Sequence, residues 1–105
     1  MSSPNPVIEK TTAPVTRQLQ GQEADQIVLY LTGTYGVAET VQVMLPTTDG
    51  NLVAYNDPTT VAPLVLGSGG VNEALVPGGL LYTLVKTATA AAAGVDCQFK
   101  PRAGM

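Results

Sequence analysis

From residue 25 onward, apolar side chains return at every second position. "DQIVLYLTG" (25–33) places Ile27, Leu29 and Leu31 on one face and Val28, Tyr30 and Thr32 on the other. "AETVQVMLP" (38–46) repeats this with Val41, Val43 and Leu45 set against Thr40, Gln42 and Met44. A period of two belongs to strands with one face on a core, and it is incompatible with the 3.6-residue period of an amphipathic helix. "GLLYTLVKT" continues the pattern with Leu81, Thr83 and Val85 opposed to Leu80, Tyr82 and Leu84. "GVDCQFK" ends it, with Val95, Cys97 and Phe99 expected inward and Asp96, Gln98 and Lys100 outward.

Turn chemistry divides these runs. The first two are expected to pair as antiparallel strands around "TGTYGV". "TTDGN" (47–51) then holds an Asp-Gly dipeptide, which predicts a hairpin turning at Asp49 and Gly50 into a third strand, "NLVAY". Between residues 56 and 79, Pro58, Pro63, Pro77 and several glycines limit "VAPLVLG" and "NEALV" to short edge strands or a loop-borne turn. Four consecutive alanines, Ala90 to Ala93, favour a helix by propensity, but a run this short lies well under the roughly 12 residues of a self-standing one. "TATAAAAG" therefore reads as the tip of a long hairpin joining the last two strands, either a plain solvent loop or a contact surface whose methyl-sized side chains suit close approach by another backbone. The expected class is all-β, an antiparallel β-sandwich or small jelly-roll-like barrel of six or seven strands.

The first 24 residues differ. They carry Pro4, Pro6 and Pro14 among Ser, Thr and Gln, with few large apolar residues. This segment, preceding a sandwich domain over 25–105, reads either as a disordered tail or as an extended N-terminal arm, with Val7, Ile8, Val15 and Leu19 as anchors on a neighbouring subunit. With Ala90, Ala91, Ala92 and Ala93, these anchors form the expected partner-binding set.

Composition removes most chemistry. A chain of 105 residues fits one domain, and only 12% of its residues are charged, against roughly 25% in an average soluble protein. The formal charge of −3, with the cations Lys10, Arg17, Lys86, Lys100 and Arg102 scattered, argues against nucleic acid or an anionic membrane as partner. Histidine is absent, which takes away the commonest general base and the usual zinc ligand. Cys97 is the single cysteine and reads as a small buried hydrophobe. No apolar run approaches the roughly 20 residues that span a bilayer, and "MSSPNPVIEK" has no basic start followed by an apolar stretch, so a chain made and used without secretion is expected. The carboxylates show no close pairing, "GSGG" lacks the "GK[ST]" ending of a phosphate loop, and "DGN" lacks the oxygen ligands of a calcium loop. No catalytic, cofactor-binding or metal-binding residue is expected. Tyr30, Tyr35, Tyr55 and Tyr82 offer a sugar-stacking platform as one reading; the other has Tyr30 and Tyr82 capping the two ends of the core.

Taken in order, "IVLYLTGTYG…ETVQVMLPTTDGNLVAY…GGLLYTLVKTATAAAAGVDCQF" resembles small β-sandwich modules in the virions of tailed bacteriophages, over residues 27–99. Those modules carry a strand ending in Leu-x-Gly-x, a Val-x-Val strand, an Asp-Gly hairpin, a Gly-x-Tyr strand and a final hairpin with a small-residue tip. Where some of them place tryptophan or phenylalanine after the Asp-Gly turn, this chain has Leu52 and Tyr55. The resemblance implies a non-enzymatic capsid decoration, or cement, protein, made in the host cytoplasm and carried on the virion's capsid surface. Its implied partner is the major capsid protein, whose subunits it bridges, and it implies a homo-oligomer, a trimer before other forms. A receptor- or carbohydrate-binding module of a tail or fibre is the alternative.

Overall fold

In a computed structural model, residues 5–20, 26–35, 39–58, 61–67, 70–88 and 90–100 are described. The chain is all-β. Its strands are β1 (Asn5–Thr11), β2 (Val15–Gln20), β3 (Gln26–Gly33), β4 (Thr40–Pro46), β5 (Leu52–Ala54), β6 (Asn56–Asp57), β7 (Ala62–Pro63), β8 (Val65–Gly67), β9 (Glu73–Pro77), β10 (Leu81–Lys86) and β11 (Ala93–Lys100). Two antiparallel sheets pack face to face. The first has the order β1-β11-β3-β9; in the second, β2-β10-β4 is extended by β5 and β8, which share the far edge of β4. β6 and β7 form a small hairpin of their own.

The alternation read from the sequence determines the core. Ile27, Leu29, Val95 and Cys97 from the first sheet meet Val41, Val43, Tyr82 and Leu84 from the second, all buried in one cluster. The Asp-Gly hairpin forms as expected: Thr47 N–H donates to the Asn51 carbonyl at 2.8 Å, and Gly50 N–H to the Thr47 carbonyl at 3.1 Å. It delivers β5 antiparallel to β4, with Leu45 opposite Val53. The proline-punctuated stretch supplies only short edge pieces, β8 on β4 and β9 on β3.

Three expectations differ from the structure. β3 and β4 do not pair around "TGTYGV"; β3 lies between β11 and β9, whereas β4 lies in the opposite sheet. The last two strands likewise separate, β10 pairing with β2 and β4, β11 with β1 and β3. "TATAAAAG" is thus a crossover between sheets and not a hairpin tip. Alternation says only that a strand has one apolar face. Two such faces are buried equally well side by side in one sheet or opposite one another across a core.

The third difference is the arm. Residues 5–20, expected to stand apart from the sandwich, are two of its strands: β1 on the edge of the first sheet against β11, and β2 on the edge of the second against β10. Ile8 and Leu19 are 1% and 6% exposed within the core. The prolines fit this because they fall at places where strands tolerate them. Pro6 lies on an edge strand beside the first of two register shifts, and Pro14 in the corner between β1 and β2. Residues 1–4 and 21–24 of that expected arm, Asp25 and residues 101–105 of the expected sandwich domain, Gly36 and Val37 of "TGTYGV", Ser68 and Gly69 of "GSGG", and Thr89 of "TATAAAAG" lie outside the described residues.

Candidate docking surfaces

The crossover, at residues 87–88 and 90–92, meets the β1–β2 corner and the ends of β3 and β4 at one end of the sandwich. Lys86 holds this end from within. It follows Tyr82 and Leu84 on the inward side of β10 and is 1% exposed. Its Nζ donates to the carbonyl of Ala13 at 2.6 Å and to that of Thr87 at 3.1 Å. Burial pulls its pKa below the usual lysine value, and the charge of Glu39 pulls it partly back. Glu39 in turn accepts the Ala90 N–H on Oε1 at 2.7 Å. Thr87 is stapled to β4, its N–H donating to the Thr40 carbonyl at 2.9 Å and its Oγ1 accepting from Thr40 N–H at 2.9 Å.

The alanines follow this backbone closely. Thr34 N–H donates to the Ala92 carbonyl at 3.0 Å. Gly33, at φ +77°, lies so near that a Cβ there would meet the Ala92 oxygen at 2.1 Å, so no other residue fits. Of the expected partner-binding set, Ala93 is buried in β11, Ala91 is half-buried, and Ala90 and Ala92 are exposed. Val7 and Val15 pack half-buried against the core, while Ile8 and Leu19 lie inside it. Of that set only Ala90 and Ala92 are therefore fully presented outward. Around them Thr12, Ala13, Pro14, Gly33, Thr34, Thr87 and Ala88 are exposed as well. The result is a cap of small, uncharged side chains over a tightly hydrogen-bonded base.

The two outward sheet faces contrast in charge. On the first sheet, Tyr30 stands between Asp96 and Glu73 in register, and Val28 between Gln98 and Leu75. On the second, the outward positions of β2 are Thr16, Gln18 and Gln20, and those of β10 are Leu81, Thr83 and Val85. β4 adds Gln42, Met44 and Pro46, with Ala54, Leu52 and Val65 beside them on β5 and β8. None is charged. This contrast escapes a linear reading because it depends on which strands share a sheet.

The aromatic residues do not form a platform. Tyr82 is fully buried, packed edge-on against Tyr55 at 5.7 Å, and its hydroxyl donates to the Pro77 carbonyl at 2.7 Å. Tyr30 does not cap the core; it is half-buried on the outward face, donating to Gln98 Oε1 at 3.1 Å. Tyr35, Tyr55 and Phe99 are partly buried against the core, so none of the five aromatic side chains stands open for stacking. Cys97 is buried, and desolvation, with the nearby Asp96 charge, raises its thiol pKa. Asp49 orders the hairpin turn, its carboxyl held below the usual range first by the Thr47 hydroxyl and then by the Asn51 amide. No protein-family profile, curated protein or solved structure matches the chain.

Proposed function

We propose that the chain is a non-enzymatic structural module of a tailed-phage virion. It docks through its alanine cap on the outer capsid surface and bridges subunits of the major capsid protein. The cap is the observation that carries this reading. Ala90 and Ala92 project from a crossover whose backbone is fixed by Glu39, Thr34 and Thr87, so contact with a partner orders little that is not already ordered. Uncharged side chains of methyl size also let another backbone approach without burying an unpaired charge. The bacteriophage assignment rests on the resemblance over residues 27–99. The glycan-binding alternative would need an open aromatic face, and the chain's aromatic side chains are all at least partly covered.

Replacing Ala90 and Ala92 together by glutamate tests the docking surface. Both side chains are exposed, so the isolated fold should keep its stability within the roughly ±0.5 kcal/mol usual for surface changes, read by thermal melting. Co-sedimentation with emptied capsids should fall at least tenfold. Unchanged occupancy would move the docking surface elsewhere, and wild-type binding to free tails alone would remove the capsid reading.

A further inference from the structure

We propose that Asp49-Gly50 is a latent isoaspartate site, a linkage chemically able to rearrange that the hydrogen bonds of its own hairpin turn hold shut. The proposal is independent of the docking reading above. The turn follows Pro46 at the end of β4, whereas the crossover is stapled to Thr40 at its start.

The rearrangement is an internal acylation. The Gly50 nitrogen attacks Cγ of Asp49, the carboxyl hydroxyl leaves with the amide proton as water, and a five-membered succinimide closes. Water then reopens the ring at either carbonyl, restoring aspartate or leaving the main chain running through Cγ as isoaspartate. Sequence decides where this can occur. Of Asp25, Asp49, Asp57 and Asp96, only Asp49 precedes a glycine, whose missing Cβ leaves the nitrogen unshielded. Asp57 precedes Pro58, which has no N–H, and Gln26 and Cys97 shield the other two. Asp49 and Gly50 are both exposed, and a Cβ added to Gly50 would meet nothing within 4 Å, so neither burial nor crowding protects the linkage.

Protection comes from the turn, which engages both reacting groups. Gly50 N–H donates to the Thr47 carbonyl at 3.1 Å, committing the nitrogen across the turn. The carboxylate is held at both oxygens. Oδ1 accepts from the Thr47 hydroxyl and from Asn51 N–H at 3.4 Å, and Oδ2 accepts from Asn51 Nδ2 at 3.2 Å. Cγ reaches the Gly50 nitrogen only after these bonds are given up. The same donors, Thr47 first, favour the ionised carboxylate, which has no hydroxyl to lose as water and is the unreactive form. Opening would also undo the fold locally. Isoaspartate adds one atom to the main chain inside a turn whose ends are tied by Thr47 N–H to the Asn51 carbonyl at 2.8 Å, and β5, only three residues long, is set on β4 by that turn.

Incubation of the full chain at neutral pH, folded and in guanidinium chloride, tests this, with chymotryptic peptide mapping that resolves isoaspartate from aspartate at residue 49. The folded wild type should convert at least about tenfold more slowly than the denatured chain, as a reaction confined to the locally opened turn must. Thr47→Val, which removes the hydroxyl and keeps the shape, and Asn51→Ala should each raise the folded rate severalfold and leave the rate in denaturant unchanged. Thr47→Ser retains the hydroxyl and should convert as slowly as the wild type. A folded wild type that converts as fast as the denatured chain, or Thr47→Val and Asn51→Ala both converting at the folded wild-type rate, would overturn the proposal.

Discussion

Lys86 shows how one side chain can organise an end of the fold. It takes an inward position that the alternation assigns to a hydrophobe, and its ammonium group donates to two carbonyls, one in the β1–β2 corner and one in the crossover. Its lowered pKa means that the unfolded chain holds this proton to higher pH than the folded one. Stability therefore increases as pH climbs through the folded value toward 10.5. The tyrosines have the opposite sign. Burial pushes Tyr35 up to about 12 and raises Tyr82 as well, so the folded state keeps protons that the unfolded state releases from about pH 10. Their contribution is complete below pH 10 and is lost above it. Urea unfolding followed from pH 7 to pH 12 should then show stability rising toward pH 10 and falling beyond. Lys86→Met should abolish the rise and cost about 1–2 kcal/mol at pH 7 through the lost hydrogen bonds, and Tyr82→Phe should make the fall shallower. A profile identical in all three proteins would contradict the placement of both groups.

The strands themselves were legible wherever alternation and turn chemistry agreed. β3, β4, β10 and β11 have the residues that the period of two assigns them, and Asp49-Gly50 turns where the dipeptide predicts. The arm was not legible. "PVIEKT" and "VTRQLQ" are polar edge strands, each with one or two core side chains, and such strands have too little apolar periodicity to separate from an extended tail. Their membership of the sandwich makes a strong prediction. Removing residues 1–20 takes away Ile8 and Leu19, each worth roughly 1.5–3 kcal/mol of burial, and opens the edges of β10 and β11. Against a total of about 5–15 kcal/mol for such a domain, the truncated chain should lose cooperative melting by circular dichroism. A peptide of residues 1–20 added in trans should restore it. A truncated chain that melts like the full one would mean that β1 and β2 are not structural strands.

At the scale of the molecule, the sandwich segregates its surfaces by charge. Carboxylates occupy the outward face of the first sheet and the hairpin turn at Asp49, while the second sheet's outward face and the alanine cap present none. The composition announced a weakly charged surface without showing where its charges would gather. That required the sheet order, because Asp96 and Glu73 are distant in sequence and meet only across Tyr30. The cap was legible as a small-residue run, but its neighbours were not, since Pro14, Gly33 and Thr87 come from three separate turns of the chain. Under the proposed function, this cap is what the protein presents to the capsid. Amide hydrogen exchange of the full chain, alone and with emptied capsids, tests that most directly. Docking through the cap predicts slowed exchange on capsid binding at residues 12–13, 33–34 and 87–92, with the amides of β5 and β9 unchanged. Protection confined to β5, β9 or the outward sheet faces, or no protection anywhere, would contradict it.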